Sequence, residues 1–214
     1  MDAGILPVKT LARAKARLAP EFEEGQRREI AEALLDDALA LCLSVDFLEW
    51  WVVSEDPEVH SRAARVGLKS SADPGTDLNS AISAGARAAA AAGAESITVV
   101  PCDVPLAYRG DLVDLLDTGA TSDIVLVPSG DDGGTNALFL SPPGLMEPAF
   151  GPGSLQRHLA LAEKKGYRCS ILALPRLALD IDTAADVDAF LAKAGEFGGR
   201  SAEVLRKLRA EQAP

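Results

Sequence analysis

The chain has 214 residues, 48% of them hydrophobic and 25% charged, which suffices for one substantial core. Its formal net charge of −11 argues against nucleic-acid binding, which needs a basic footprint. We find no apolar run long enough to span a bilayer and no basic region of a signal peptide at the N-terminus. Three widely spaced cysteines are typical of a reducing compartment. We therefore expect a cytoplasmic protein without membrane or nucleic-acid partners.

The spacing of apolar residues predicts strands that alternate with helices. Predicted strands cover residues 5–8, 50–54, 97–100, 124–127 and 137–140. Predicted helices cover residues 27–43, 57–66, 78–92, 112–116, 155–165 and 202–212. This alternation is typical of an α/β fold, and we expect a single three-layer domain with a mixed, mostly parallel sheet over residues 1–194. Residues 195–214 hold a Gly–Gly break and a helix that we expect to pack on the domain or on a partner.

Polar residues stand where predicted strands end. Lys9, Ser54 and Asp103 lie at or just after the ends of three strands. Ligands of open α/β sheets bind beyond the carboxyl ends of the strands, so we expect these side chains to meet although they are distant in sequence.

A basic stretch follows the first predicted strand. It contains Lys9, Lys15 and Arg17, and it stands out in an acidic chain. One hypothesis is that it binds a triphosphate and neutralises charge that develops on it. The alternative is a solvated basic face that pairs with the acidic residues at 21–24, and the spacing leaves both open.

Two acidic motifs suit a metal ion. Asp103 follows a hydrophobic strand and lies between two prolines, which favours a rigidly placed carboxylate of the kind that binds Mg²⁺. Its alternative is a turn or helix cap. Asp180 and Asp182 lie on an extended segment, and we expect only one of them to face a given metal. Thr183 and Asp186 have the spacing of a capping box for the next helix.

Two glycine-bearing patches, at residues 133–138 and 150–154, combine small residues, hydroxyls and free backbone N–H groups. That combination suits a phosphate or carboxylate. The alternatives are a hairpin turn at the first patch and a serine cap at the second. The side chains of interest here are those of Thr135, Asn136, Ser154, Arg157 and His158. Arg157 is a candidate phosphate ligand, and His158 is either a general base or a hydrogen-bonded core residue. Asn79, in a loop before a small-residue helix, is a candidate ligand for a base or ribose, or a cap.

The motifs, taken in order, resemble the 2-phospho-L-lactate guanylyltransferase family, whose bacterial members often act on phosphoenolpyruvate. The resemblance runs from Pro7 to about Leu191 and is most specific in the two glycine patches. The matching segments are residues 7–9, 15–18, 52–56, 77–81, 101–106, 133–138, 150–158 and 179–183. Asp77 departs from the pattern, since glycine is commoner there, and this weakens the assignment of Asn79.

The resemblance implies a nucleotide-diphospho-sugar transferase-like domain that uses GTP, Mg²⁺ and a three-carbon phosphorylated acid. The product would serve side-chain assembly of coenzyme F-420. By position, Thr135, Gly151 and Ser154 would bind the acid. Asp103, Asp180 and Asp182 would hold the metal, and Lys9, Lys15 and Arg17 would face the triphosphate. The sequence does not decide among phosphoenolpyruvate, 2-phospho-L-lactate and 3-phosphoglycerate.

Two other functions remain open at this point. One is a related nucleotidyltransferase of the molybdenum-cofactor or sugar-1-phosphate type. The other is a non-catalytic nucleotide-binding protein. A homodimer through the hairpin region is a further expectation.

Overall fold

The computed structural model describes residues 1–75, 77–130, 133–195 and 198–212. The β-strands are β1 Asp2–Pro7, β2 Glu49–Ser54, β3 Lys69–Ala72, β4 Ser96–Val99, β5 Ile124–Pro128, β6 Thr135–Leu140 and β7 Cys169–Ile171. The α-helices are α1 Glu24–Ser44, α2 Pro57–Arg65, α3 Leu78–Ala91, α4 Arg109–Gly119, α5 Ser154–Lys165, α6 Ala184–Ala194 and α7 Gly199–Gln212. Two short 3₁₀ helices, Leu11–Arg13 and Ala16–Leu18, connect β1 to α1.

The seven strands form one sheet in the order β3-β2-β1-β4-β6-β5-β7. All neighbouring pairs are parallel except those of β6, which runs antiparallel to both β4 and β5. The β5–β6 connection is therefore a hairpin, closed by an N–H of Ser129 that donates to the carbonyl of Gly134 (3.1 Å). Gly133 there has φ +65°, which favours glycine. The prediction of a mixed, mostly parallel sheet is confirmed.

Helices cover both faces of the sheet because successive strand residues point to opposite sides. Ile5 packs with α3 and α5 on one face, and its neighbour Leu6 packs with α1, α2 and α4 on the other. A third apolar cluster lies outside this sandwich, where α6 and α7 pack on the outer side of α1. The C-terminal helix thus packs on the domain itself.

Two strands, β3 and β7, are not predicted from the sequence. β3 is polar and largely exposed, and β7 has three residues. Neither strand has the alternating apolar pattern that predicts a strand. Both lie at an edge of the sheet, where hydrogen bonds to one neighbouring strand hold them. Helix α4 is longer than the predicted 112–116 because it begins at a capping box, Tyr108 with Asp111. No helix among the described residues is long and apolar enough to cross a membrane, and all three cysteines are free thiols.

Candidate active site

A cleft of about 480 Å³ opens at the carboxyl ends of β1 and β4. From β1 the sheet extends through β2 in one direction and through β4 in the other, and such a switch point is the usual ligand site of an open α/β sheet. Because β6 is antiparallel to β4, it begins at the same edge and brings Thr135 there. The predicted site residues that line this cleft are Lys9, Lys15, Arg17, Asn79, Asp103, Thr135, Asn136, Gly151, Asp180 and Asp182.

Three carboxylates converge in the cleft. One oxygen from each of Asp103, Asp180 and Asp182 lies within 4.8 Å of the others. The N–H of Ile181 donates to the carbonyl of Asp103 (3.0 Å) and fixes the second acidic segment against the first. Three half-exposed carboxylates are the hard oxygen donors that a divalent cation prefers, so the site fits a metal ion.

The expectation that only one of Asp180 and Asp182 faces the metal was wrong. Residues two apart on an extended segment share a face, so the two carboxylates point the same way. The intervening Ile181 points the other way and is fully buried. Burial, together with repulsion from Asp103 and Asp182, raises the pKa of Asp180, and a hydrogen bond from Asn136 opposes that rise.

Lys15 carries positive charge into the acidic cluster. Its Nζ donates to Asp103 Oδ2 (2.7 Å) and Asp182 Oδ1 (3.2 Å), and its side chain is only 9% exposed. Burial opposes its protonation, but the two carboxylates outweigh burial and its pKa is raised. Arg17 also contacts Asp182 (3.2 Å), whereas Lys9 is exposed at the cleft. Lys15 and Arg17 therefore pair with site carboxylates and not with the acidic residues at 21–24.

Two asparagines position other groups. Asn136 Nδ2 donates to Asp180 Oδ1 (2.9 Å) and to the carbonyl of Leu177 (3.0 Å), which fixes the orientation of that carboxylate. Asn79 binds the backbone of Phe150 in both directions, since its Oδ1 accepts from the N–H (2.7 Å) and its Nδ2 donates to the carbonyl (3.3 Å). Their polar groups hold the cleft wall in place.

The two glycine patches contact each other. The N–H of Leu155, in the first turn of α5, donates to the carbonyl of Gly133 (3.1 Å). Behind the cleft wall, Ser154 Oγ donates to Thr135 Oγ1 (3.1 Å), and Ser154 is fully buried. The two patches thus form one wall of the cleft. Thr135 lines the cleft, and Ser154 binds Thr135 from behind that wall.

Arg157 organises the second patch. Its guanidinium donates to the carbonyls of Ala149 (2.8 Å), Phe150 (3.4 Å), Gly151 (3.3 Å) and Pro152 (2.6 Å). In a trans peptide the N–H points opposite to the carbonyl, so the amides of Gly151 and Gly153 point away from the guanidinium. No described residue accepts a hydrogen bond from either amide. Arg157 therefore binds the loop backbone, outside the cleft, and leaves donors of the kind that bind anions.

Ser54 is the predicted nucleotide ligand that the structure places elsewhere. It is fully buried, and its Oγ accepts from the N–H of Asp56 (3.0 Å). It terminates β2, one strand away from the cleft, and the local turn uses its hydroxyl.

The apolar wall of the cleft, to which Leu11, Ala31 and Leu34 contribute, is not predicted from the sequence. Their position depends on how α1 packs against the sheet, for which the sequence carries no local signal.

The fold is that of the nucleotide-diphospho-sugar transferases. A protein assigned to that class from Desulfovibrio desulfuricans G20 matches with a TM-score of 0.82 at 15% identity, covering 98% of this chain and 95% of that one. With its acidic cluster and cationic loop in one cleft, the chain belongs among the nucleotidyltransferases.

Two further comparisons identify the family. Residues 2–214 match the family described as guanylyl transferase CofC like. A phosphoenolpyruvate guanylyltransferase of Sphaerobacter thermophilus is 37% identical over 185 residues, covering 86% of this chain and 89% of the relative. A 2-phospho-L-lactate guanylyltransferase of Methanothermobacter thermautotrophicus is 35% identical over 207 residues, covering 96% and 90%. The chain belongs to the CofC-like guanylyltransferase family, which confirms the resemblance seen in its motifs.

Proposed function

We propose that this enzyme transfers GMP from GTP to the phosphate of a three-carbon phosphorylated acid and releases pyrophosphate. Phosphoenolpyruvate is the proposed acid, ahead of 2-phospho-L-lactate and 3-phosphoglycerate, and the product serves coenzyme F-420 assembly. The observation that carries the proposal is a single cleft lined by three carboxylates, three cationic side chains, Thr135 and Gly151.

The cationic side suits the triphosphate. Lys9, Lys15 and Arg17 all line the cleft beside the three carboxylates. Fixed positive charge of this kind stabilises charge that develops on a phosphoryl group in the transition state. Lys9 forms no ion pair with any described residue, so it is available to a ligand.

The glycine-patch side suits the acid. Thr135 and Gly151 both line the cleft. A hydroxyl and a backbone amide are donors for phosphate or carboxylate oxygens. Ser154 acts from behind Thr135, and Arg157 acts by holding the loop. The three acids differ from one another by small groups, so a few contacts in this pocket discriminate among them.

Asp103, Asp180 and Asp182 would hold Mg²⁺, which neutralises phosphate charge when it is bound. The chain itself positions the two substrates for in-line displacement. A phosphate oxygen of the acid attacks the α-phosphorus of GTP, and the bond from that phosphorus to the α–β bridging oxygen breaks. Pyrophosphate leaves with the electron pair. The attacking phosphate is already ionised at neutral pH, so no general base is required, and no described residue of the cleft lining is a histidine.

The proposal includes a cytoplasmic location and a homodimer through the β5–β6 hairpin. Light scattering of the purified chain measures the mass in solution. A mass near 22.3 kDa, that of one chain, contradicts the dimer.

Pyrophosphate release tests the proposed reaction. GTP, ATP and CTP are each combined with the three acids and with a sugar 1-phosphate. We expect turnover with GTP and one of the acids. Asp103→Asn should reduce it by at least about a hundredfold, whereas Asp117→Asn, an exposed carboxylate outside the site, should not. Turnover with only the sugar phosphate favours the sugar-1-phosphate type, and GTP binding without turnover favours the non-catalytic alternative.

A further inference from the structure

His158 is a buried ring that joins three elements near the cleft. It lies on α5 and is fully buried. Its Nε2 lies 2.9 Å from the backbone nitrogen of Ala149, and its Nδ1 lies 3.1 Å from Thr135 Oγ1 on β6. The edge of the Phe150 ring packs against it, with 5.4 Å between the centroids. Neither ring nitrogen faces the cleft.

These contacts determine where the ring proton lies. A backbone N–H only donates, so Nε2 must accept from Ala149 and carries no proton. Burial, followed by the charge of Arg157, lowers the pKa of His158 to about 4, so the ring is neutral at pH 7. A neutral imidazole without a proton on Nε2 carries it on Nδ1. Nδ1–H therefore donates to Thr135 Oγ1.

The Thr135 hydroxyl then has one role left. A hydroxyl has two acceptor lone pairs and one proton to donate. Nδ1–H of His158 and Oγ–H of Ser154 occupy both lone pairs. No described residue accepts the Thr135 proton, and Thr135 lines the cleft.

We propose that His158 and Ser154 are positioning residues that make Thr135 an obligate hydrogen-bond donor to an anionic oxygen of the substrate acid. The identity of the ligand rests on the proposed function, whereas the direction of the hydrogen bonds does not. The atom bound by Thr135 must be an acceptor, which is a phosphate or carboxylate oxygen. Ser154 then acts on the acid only through Thr135.

The proton position is measured first, without substrate. The chain has two histidines, so the long-range ¹⁵N–¹H spectrum of a ¹⁵N-labelled sample shows two rings, and His60→Gln identifies that of His158. We expect His158 to be protonated on Nδ1 only, throughout pH 6 to 8. Protonation on Nε2, or on both nitrogens, overturns the proposal whether or not the enzyme turns over any acid.

Kinetics then test the link to Thr135. The amide nitrogen of Asn lies near the position of Nδ1, so His158→Asn keeps a donor to Thr135, whereas the longer His158→Gln places its amide near Nε2. We expect His158→Gln to raise KM for the acid about tenfold or more, while KM for GTP changes less than about twofold. In His158→Asn, which keeps the donor, KM for the acid should stay close to that of the wild type. Thr135→Val should match His158→Gln, and the double variant should lose little more.

The proposal is overturned if KM for the acid rises equally in His158→Gln and His158→Asn. It is also overturned if KM for the acid and KM for GTP rise equally, because His158 then has a purely structural role. Thermal midpoints of all variants show that each is folded under assay conditions. If no acid is turned over by the wild type, the proposed function fails, and the spectrum still decides the proton position.

Discussion

Lys15 has a backbone conformation that few side chains adopt. Its φ of 56° and ψ of 38° are left-handed, which costs a residue other than glycine about 1 kcal/mol or more. Such strain persists where the surroundings fix it, and it is common at functional sites. Here the conformation turns the Lys15 ammonium toward Asp103 and Asp182, so the strain is offset by two charged hydrogen bonds.

The buried His158 makes stability depend on pH. Its pKa is about 4 in the fold against 6.5 in the unfolded chain, so below pH 6.5 the unfolded state binds more protons. The free energy of unfolding therefore falls as the pH is lowered from 6.5 to about 4, by up to about 1.4 kcal/mol per pH unit from this group. Urea unfolding at several pH values, for wild type and His158→Asn, measures it. The variant should show the shallower pH dependence, and parallel curves would exclude His158 as its cause.

The sequence predicts those site residues that lie near the end or the beginning of a strand. Asp103 and Thr135 lie where a predicted strand ends or begins, and the sheet brings them together. It did not separate the residues that face the cleft from those that support it. Ser154 and Arg157 lie in the same motif as Gly151, but only the folded loop shows that they bind Thr135 and backbone carbonyls.

At the scale of elements, the loop before α5 depends on the first turns of that helix. Arg157 donates to the carbonyls of four successive loop residues, and His158 Nε2 accepts a hydrogen bond from the N–H of Ala149. Because the guanidinium fixes four peptide planes, it fixes the direction of the amides between them. The loop is thus a preorganised set of donors.

Replacing Arg157 tests that organisation. Arg157→Met removes the donors while keeping a long apolar stem, so we expect the loop amides to lose their fixed direction. KM for the acid should rise about tenfold while KM for GTP changes little. Hydrogen exchange at the amides of Ala149 and Phe150, which donate to His158 and Asn79, should accelerate. Arg168→Met, which removes a surface pair with Asp123, is the control and should change neither quantity. An unchanged KM for the acid in Arg157→Met would refute this role of Arg157 in organising the loop.

The elements that sequence patterns predict are those with their own apolar periodicity. Helices α1, α3 and α5 bury a regular set of residues and were predicted to within a few residues at each end. Strands β3 and β7 are fixed by pairing with β2 and β5, so their existence depends on residues far away in the chain.

At the scale of the whole molecule, the C-terminal helix supports the cleft indirectly. α7 packs with α6 on the outer side of α1, and Leu34 of α1 belongs both to that cluster and to the cleft wall. Asp37 of α1 accepts from the backbone of Arg200 (2.7 Å) and Ser201 (2.9 Å) and so caps α7. We propose that α7 unfolds together with the rest of the described chain.

Leu205→Ala tests this cooperativity, because Leu205 is fully buried in that cluster. We expect a loss of about 2–5 kcal/mol in the free energy of unfolding, in a single transition. Leu43→Ala, at an exposed position of α1 (53%), should cost less than about 0.5 kcal/mol. Urea unfolding followed by tryptophan fluorescence and by circular dichroism measures both. A separate early transition in either signal would show that α7 is an independent unit.

We propose that one cleft joins GMP to a phosphorylated acid. ³¹P NMR of the enzyme with GTP, Mg²⁺ and phosphoenolpyruvate follows every phosphorus atom in that reaction. We predict equal amounts of free pyrophosphate and of a new diphosphate linkage between GMP and the acid, and neither with Asp103→Asn. GDP with inorganic phosphate, or unchanged GTP with all three acids, would contradict it.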